Sequence, residues 1–218
     1  MSPIEFAGIS KSYLQAGSGL QINALSSLNL KIEPGEVFAV AGLNGAGKTT
    51  AIKILLGLCR PDAGSIGLFG EAPGPGSLAL TGFAPEEPDL PDFLTVEELL
   101  AAACRLSGVE PAAALVDRAV QMLSLTEERS RIVEQLSKGT RQRVSLAAAI
   151  VHRPRLVIFD EPASGLDPLG RQLVKNVIRQ LKIEGVTVFF TTHILSDLPG
   201  LCSRIGILSH GRLIFVGT

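Results

Sequence analysis

The most constraining feature of the sequence is the glycine-rich stretch Gly42-Leu-Asn-Gly-Ala-Gly-Lys-Thr49, which matches the pattern G-x-x-x-x-G-K-[ST]. It follows the apolar run Val37–Ala41, which we predict to be a buried strand, and it precedes a predicted helix over residues 47–56. Glycines let backbone N–H groups converge on phosphate oxygens, and a helix N-terminus adds partial positive charge. A coincidental glycine-rich turn would not require this strand–loop–helix context. The stretch therefore predicts a phosphate-binding site.

Two side chains of the stretch add specific chemistry. Lys48 is suited to place a point charge at the β- and γ-phosphates, and the Thr49 hydroxyl is suited to ligate Mg²⁺. The predicted nucleotide-binding residues of this segment are Gly42, Asn44, Gly45, Ala46, Gly47, Lys48, Thr49 and Thr50.

A pair of carboxylates follows a second apolar run. The sequence Leu156-Val-Ile-Phe-Asp160-Glu161 is a predicted strand that ends in two acids, and ligands of open α/β sheets bind at the carboxyl ends of strands. Asp160 is suited to hold Mg²⁺, and Glu161 is placed to accept a proton from an attacking water. A solvated helix-capping pair is the alternative, and the phosphate loop upstream makes it the weaker one.

His193 lies at the end of another predicted strand, residues 186–190. A lone histidine is more often a structural residue than a ligand, so its position alone leaves its role open.

The order of predicted elements indicates an α/β protein with a helical insert. The capping box Thr95-Val-Glu-Glu98 begins a helix that Gly108 ends, Pro111 suits the start of a second, and a third runs over residues 139–151. Strands separated by helices imply a parallel sheet with right-handed crossovers. Further strands are predicted at residues 4–9, 28–32, 82–84, 205–208 and 213–216, a further helix at 168–184, and a chain break in the Gly/Pro-rich segment 70–77.

Composition narrows the class of protein. The 218 residues carry a formal net charge of −1, which gives no argument for non-specific attraction to nucleic acid or anionic lipid. Three widely spaced cysteines do not indicate a disulfide framework or a C-x-x-C metal site, and they suit a reducing compartment. The N-terminus lacks the features of a signal peptide, and no apolar run approaches the roughly 20 residues that span a bilayer. Work at a membrane would therefore need a partner.

The segment Leu136-Ser-Lys-Gly-Thr-Arg-Gln-Arg143 completes a resemblance to the ATP-binding-cassette family along nearly the whole chain. It is similar to the family's signature loop, LSGGQ, and by itself it would be an ordinary helix N-cap. The resemblance implies a P-loop NTPase (RecA-like) parallel-sheet core, an N-terminal antiparallel β-subdomain and an inserted α-helical subdomain. It implies one domain over residues 1–218, with the core at about 1–86 and 151–218 and the helical subdomain at about 87–150.

The resemblance also assigns roles to side chains. Tyr13 is implied to stack on adenine, although a surface tyrosine beside Lys11 is the alternative. Ser137 and Gly139 are implied to cover the γ-phosphate bound by the opposite subunit of a head-to-tail dimer. His193 is implied to be the switch residue at the γ-phosphate, which joins Glu161 and Lys48 as the expected catalytic set. Residues 164–167 resemble the D-loop that communicates across the dimer, and ATP and Mg²⁺ are the expected cofactors.

Three departures from the family pattern stand out. Leu43 replaces a common proline, and Lys138 with Thr140 replace a glycine and the glutamine of the signature, a variant that looks like the export-type branch. Glu86 stands where most members carry the Q-loop glutamine, and we treat it as a candidate Mg²⁺ ligand or a perturbation of coupling. The chain also stops shortly after Val216, where relatives often continue, so an accessory C-terminal segment is either naturally absent or was removed.

The expected function is that of the ATP-hydrolysing subunit of a transporter. Its expected partners are a transmembrane permease subunit and a second ATPase subunit in a homodimer, with no nucleic acid. This places it in the cytoplasm, on the inner face of the membrane. Soluble machines are the second class, but they carry a coiled-coil insertion or two cassettes, neither of which is present here. A GTPase is disfavoured because no N-K-x-D motif occurs, and a pseudoenzyme because Lys48, Asp160, Glu161 and His193 are intact.

Overall fold

The computed structural model describes residues 1–14 and 19–218. Within these residues the chain forms two β-sheets and six α-helices. The strands are β1 (Ile4–Leu14), β2 (Gln21–Ile32), β3 (Val37–Ala41), β4 (Ala63–Leu68), β5 (Thr81–Ala84), β6 (Leu156–Phe159), β7 (Thr187–Thr192), β8 (Arg204–Ser209) and β9 (Arg212–Gly217). The helices are α1 (Lys48–Leu55), α2 (Pro75–Ala79), α3 (Val96–Leu106), α4 (Ala113–Met122), α5 (Lys138–Ile150) and α6 (Pro168–Ile183).

The central sheet has six strands in the order β5-β6-β7-β3-β8-β9. Its first five strands are parallel, and β9 closes the edge as an antiparallel partner of β8. The parallel register brings the carboxyl ends of β3, β6 and β7 side by side, with Ala41 opposite Thr192. Neighbouring strands lie about 4.8 Å apart, so residues that follow these three strands meet at one edge.

The smaller sheet contains three antiparallel strands in the order β2-β1-β4. Ile4 pairs with Ile32 on one side and with Leu68 on the other, and all three side chains are buried. This arrangement confirms the predicted N-terminal antiparallel sheet.

Alternation along the central strands divides the core into two clusters. On β3, Val37, Ala39 and Ala41 pack into one cluster, whereas Phe38 and Val40 pack into the other. A strand with both faces buried reads as a continuous apolar run, which explains the sequence of β3. The first cluster joins the sheet to α3–α6, and the second joins it to α1 and the smaller sheet.

The helices α3, α4 and α5 lie between β5 and β6 in the chain. The Thr95 hydroxyl accepts the Glu98 N–H at 3.2 Å, and Glu98 accepts the Thr95 N–H at 2.9 Å, so the predicted capping box forms. The division into a core and a helical subdomain at residues 87–150 stays a prediction.

Several element boundaries differ from the sequence prediction. The first two strands are longer than residues 4–9 and 28–32, because their outer ends carry exposed and polar side chains that hide the strand pattern. The strand β4 contains two glycines in six residues, and α2 begins inside the predicted Gly/Pro break at residues 70–77 and ends just after it, so neither element carries a clear periodicity. The helix α4 begins at Ala113, and Pro111 precedes its N-cap instead of occupying its first turn.

Within residues 1–14 and 19–218, no helix is both long enough and apolar enough to cross a lipid bilayer.

Candidate nucleotide-binding site

The glycine-rich loop connects the carboxyl end of β3 to the N-terminus of α1, as the sequence predicts. Gly47 has φ of 110°, a conformation that L-residues rarely adopt. A Cβ at Gly47 would lie 2.3 Å from the Ala24 carbonyl oxygen, and one at Gly42 would lie 2.4 Å from that of Leu208. Glycine is therefore required at both positions because another backbone segment approaches closely, whether or not a ligand is bound.

Lys48 is buried, and its ammonium group has three oxygen neighbours. It donates to the carbonyl oxygens of Gly42 at 2.7 Å and Leu43 at 3.2 Å. Its Nζ also lies 3.1 Å from Glu161 Oε1, an ion pair in which the two side chains are 6% and 5% exposed. The backbone carbonyl groups of the loop therefore hold the Lys48 ammonium beside the predicted phosphate-binding site.

Thr49, Asp160 and Thr191 form an oxygen-rich group at the ends of β6 and β7. The Thr49 hydroxyl donates to Asp160 Oδ2 at 2.9 Å, and the Thr191 hydroxyl donates to Asp160 Oδ1 at 2.5 Å. A hydroxyl and a carboxylate at hydrogen-bond distance are the hard oxygen donors that Mg²⁺ prefers. The residues present therefore fit a magnesium ion.

Glu161 is a buried carboxylate in an unusual backbone conformation. Its φ of 49° lies in the left-handed region, and its N–H donates to the Thr191 hydroxyl at 2.9 Å. Oε2 lies 2.6 Å from His193 Nδ1, while Oε1 faces Lys48 without the alignment of a hydrogen bond. Strained backbone at a polar site is typical of functional residues.

The buried charges of the described site residues do not balance. Asp160 and Glu161 are two buried carboxylates, and Lys48 is a buried ammonium that contacts Glu161. Because buried charges need compensation, a further positive charge is favoured here, which a divalent cation held by Asp160 would supply.

Tyr13 lies near the end of β1 and is 41% exposed. Its hydroxyl is 3.5 Å from Cys59 Sγ, and this hydrogen bond, together with burial, raises the pKa of the Tyr13 phenol against the opposing effect of the Thr50 hydroxyl. Thr50 belongs to the first turn of α1, so the ring stands beside the phosphate loop. Lys11 also lies over the ring, at 5.6 Å from its centroid, and the stacking of adenine on Tyr13 stays a prediction.

Ser137 and Gly139 lie at the N-terminus of α5. The Ser137 hydroxyl caps the helix by accepting the Thr140 N–H at 3.2 Å. Both residues line a cavity of about 680 Å³ together with residues 165–167 and several residues of α6. No residue of the phosphate loop lines this cavity, as far as the described chain shows. Within one chain, the two predicted parts of the nucleotide site therefore belong to different surfaces.

Glu86 is exposed and follows β5. Its Oε1 accepts a hydrogen bond from the Ser164 hydroxyl at 3.2 Å, and the Ser164 N–H donates to the Glu161 carbonyl at 2.9 Å. The structure thus connects Glu86 to the loop that follows Glu161. Its role as a metal ligand stays a prediction.

Two residues that the sequence analysis missed organise the site. Thr191 orients both the Asp160 carboxylate and the Glu161 backbone. Its position at the carboxyl end of β7 is the sequence feature from which this role could have been predicted. Arg143 donates to the carbonyls of Leu123 and Ser124 and to the Thr140 hydroxyl, so it ties the start of α5 to the end of α4.

Comparison with known families agrees with this geometry. The family described as "ABC transporter" matches residues 25–164, which is more than half of the 218-residue chain and includes the glycine-rich loop, the α5 N-terminus and the two acids. The chain belongs to the ABC transporter family.

Two curated relatives support the same assignment of this cassette. An uncharacterized ABC transporter ATP-binding protein of Nostoc sp. is 39% identical over 204 residues, which cover 91% of this chain and 61% of the relative. The Nod factor export ATP-binding protein I of Burkholderia thailandensis is 38% identical over 224 residues, which cover 100% of this chain and 71% of the relative. The chain thus spans 61% of the length of the Nostoc protein and 71% of that of the Burkholderia protein.

Solved structures share the fold. The ATP-binding subunit of an ABC transporter is 32% identical and superposes with a TM-score of 0.87 over 100% of this cassette and 90% of that chain. A bacterial ABC transporter cassette solved as a dimer has a TM-score of 0.88 at 23% identity over 99% of this cassette and 98% of that chain, which shows the fold alone. The predicted cassette architecture is therefore confirmed.

Proposed function

We propose that this cassette binds ATP with Mg²⁺ and hydrolyses it to power substrate movement through a separate transmembrane subunit. The observation that carries the proposal is the contact of the buried Glu161 carboxylate with the buried Lys48 and the exposed His193, at 3.1 Å and 2.6 Å. This contact places a carboxylate beside an anion-binding loop, which is the arrangement that attack of water on a phosphate requires.

Different groups of the site have different roles in the proposed hydrolysis. Backbone N–H groups of the 42–50 loop and the Lys48 ammonium bind the β- and γ-phosphates, after Lys48 releases its contact with Glu161. The freed Glu161 carboxylate accepts a proton from the attacking water, and His193 orients Glu161 and the γ-phosphate. Exclusion of bulk water strengthens these electrostatic interactions.

Thr49 and Asp160 would hold the magnesium ion, with Glu86 as a further candidate ligand. The ion would neutralise phosphate charge when bound. Thr191 keeps the Asp160 carboxylate oriented through a 2.5 Å hydrogen bond.

We further propose a head-to-tail homodimer, in which Ser137 and Gly139 of one subunit cover the nucleotide bound by the other. The separation of these residues from the phosphate loop within one chain supports this assembly. The permease partner would hold the dimer at the cytoplasmic face of the membrane. The name of the Burkholderia relative and the signature variant favour export as the direction.

The decisive experiment is the substitution Glu161→Gln. The amide keeps the shape of the side chain but cannot accept a proton, so we expect ATP binding to persist and turnover to fall roughly 10²- to 10⁴-fold. Turnover of purified protein is measured by phosphate release, and binding by equilibrium titration. Glu127→Gln, which changes an exposed acid in the turn after α4, is the matched control and should leave both quantities unchanged. Near-normal hydrolysis by the Glu161 variant would refute the proposed role.

A further inference from the structure

A second cavity lies at the opposite end of the central sheet from the nucleotide site. It has a volume of about 590 Å³, and its lining includes Gly35, Arg155 and Thr187, which stand at or just before the N-terminal ends of β3, β6 and β7. The phosphate loop and the two site acids follow the carboxyl ends of these same strands. A five-residue strand is about 16 Å long, so the two sites are separated by the length of the strands.

The charge of this cavity is positive. Three arginines line it, Arg118, Arg153 and Arg155, against one acid, Glu184. Arg118 forms an ion pair with Glu184 Oε2, and Gln180 donates to Glu184 Oε1 at 2.9 Å. Both oxygens of the carboxylate are therefore occupied, and the arginine–glutamate pair is electrically neutral.

The guanidinium groups of Arg153 and Arg155 carry the remaining positive charge. Both side chains are exposed, and within the described residues neither guanidinium donates a hydrogen bond to another protein group. The charge of Arg153 does contribute to the lowered pKa of Glu184, where hydrogen bonds from Arg118 and Gln180 overcome the desolvation that opposes them.

Arg155 is held in place by an aromatic ring. Its guanidinium carbon lies 5.5 Å from the centroid of Phe69, which also lines the cavity. Stacking on a ring orients a guanidinium while leaving its N–H edge free to bind an anion. The cavity thus presents two guanidinium groups whose N–H groups are available to an anion. The guanidinium group of Arg155 is already oriented by the Phe69 ring.

We propose that this cavity binds a small multivalent phosphate anion, at a site independent of the ATP site. The two guanidinium groups supply positive charge for a multivalent anion, and planar guanidinium groups bind phosphate oxygens in pairs. The volume lies within the range of small-ligand pockets and exceeds what a single phosphate group fills. Pyrophosphate is the simplest ligand of this class, and the inference does not depend on the proposed hydrolysis.

Titration with pyrophosphate, followed by calorimetry, tests the inference. The experiment must distinguish binding at the phosphate loop from binding at the new site. Because the loop also binds phosphate, the wild-type chain should bind two pyrophosphates and Lys48→Ala should bind one. In the Lys48→Ala background, the double substitution Arg153→Gln/Arg155→Gln should weaken the remaining site roughly 10- to 100-fold, since a charge-assisted hydrogen bond contributes that much to an equilibrium.

The matched control removes the same charge elsewhere. Arg105 and Arg179 are exposed arginines on α3 and α6 outside the cavity, and Arg105→Gln/Arg179→Gln in the Lys48→Ala background should keep the affinity. Arg155→Lys keeps the charge but loses the planar fork, so it should give an intermediate affinity, and it tests the site even if the double variant fails to fold.

Three results would overturn the inference. The first is the absence of pyrophosphate binding to the Lys48→Ala protein. The second is equal weakening by the cavity pair and the control pair, which would indicate non-specific attraction. The third is equally tight binding of citrate, which would show that the cavity selects charge and not phosphate.

Discussion

At the scale of single residues, the Lys48 ammonium already has oxygen partners within its own chain. Two carbonyl oxygens and the Glu161 carboxylate surround the ammonium group, and both charged side chains are buried. A buried charge that loses its partner is strongly unfavourable. In the proposed mechanism, binding of phosphate would replace one anionic partner of Lys48 with another and would release Glu161 for proton transfer, so that the two events would be coupled through one cation.

Glu86 provides a residue-scale prediction about the metal. A carboxylate is a harder, charged ligand than an amide, so Glu86→Gln should weaken the dependence of ATP binding on Mg²⁺. The substitution removes only the negative charge, because the glutamine side-chain oxygen can still accept the hydrogen bond that Ser164 donates to Glu86. ATP affinity is measured across a magnesium titration for both proteins. Superimposable titrations would contradict the metal role and leave Glu86 as an anchor for the loop after Glu161.

His152 predicts how stability depends on pH. It is 7% exposed, neither ring nitrogen makes an aligned hydrogen bond, and burial lowers its pKa despite the nearby Thr81 backbone. Above the unfolded-state pKa of about 6.5 both states are neutral, and the stability is fully present. As the pH falls below that value, His152 becomes protonated in the unfolded state while it stays neutral in the folded state. The free energy of unfolding should then fall by at most about 1.4 kcal/mol for each pH unit.

The substitution His152→Leu tests this explanation by removing the titrating group. Its urea-unfolding free energy should depend less on pH between about 6.5 and 5 than that of the wild type. His210→Asn, at an exposed turn, is the control and should keep the wild-type slope. An unchanged slope in the His152 variant would assign the acid sensitivity to other groups.

At the scale of elements, local hydrogen bonds fix where the inserted helices begin. Thr95 caps α3 through a hydrogen bond from the Glu98 N–H, and Ser137 caps α5 through one from the Thr140 N–H, both at 3.2 Å. The start of α3 is also tied to the segment before α5, since Thr95 forms an isolated β-bridge with Ile132. The first turn of α3 therefore helps to hold the segment that leads into the α5 N-terminus.

The substitution Thr95→Ala measures the α3 cap. We expect a loss of about 1 kcal/mol in the free energy of unfolding, which is the usual effect of removing a threonine N-cap. Denaturation in urea gives this value, with Thr126→Ala at an exposed turn as the control. Equal stabilities of the two variants would show that the cap is replaced by water or by a neighbouring group.

At the scale of the whole molecule, the proposed nucleotide site takes residues from two chains, because Ser137 and Gly139 line a cavity away from the phosphate loop of their own chain. Since nucleotide bound between two subunits stabilises their association, the Glu161→Gln protein should form dimers at saturating Mg-ATP and remain monomeric without nucleotide. Light scattering measures the change in mass. A strictly monomeric protein under these conditions would contradict a homodimeric site.

A second substitution distinguishes this interface from other modes of association. A Cβ at position 139 would meet only the Leu166 side chain, at an ordinary contact distance of 3.6 Å, so Gly139→Asp should not disturb the fold. The added negative charge would face the nucleotide of the opposite subunit. In the Glu161→Gln background it should therefore abolish the ATP-dependent dimer, and a dimer that persists would place the interface elsewhere.

The sequence by itself determined the elements that form the nucleotide site. The glycine pattern at residues 42–49 carries its own conformational requirement, because Gly47 has φ of 110°, which residues with a side chain rarely adopt. The buried strands β3 and β6 are continuous apolar runs, and the caps of α3 and α5 are made by residues three positions apart. Each of these signals is local in the chain, so it can be read without knowing what packs against it.

Only the tertiary structure decided which distant residues meet. Thr191 reaches Asp160 across 31 positions, and Glu86 reaches Ser164 across 78, because parallel pairing aligns the ends of strands that are far apart in sequence. The extents of β1 and β2 likewise depend on pairing between strands, since their exposed ends have no apolar pattern of their own. The arginine-lined cavity is the clearest case, because its residues come from six separate segments that the sheet and helices bring together.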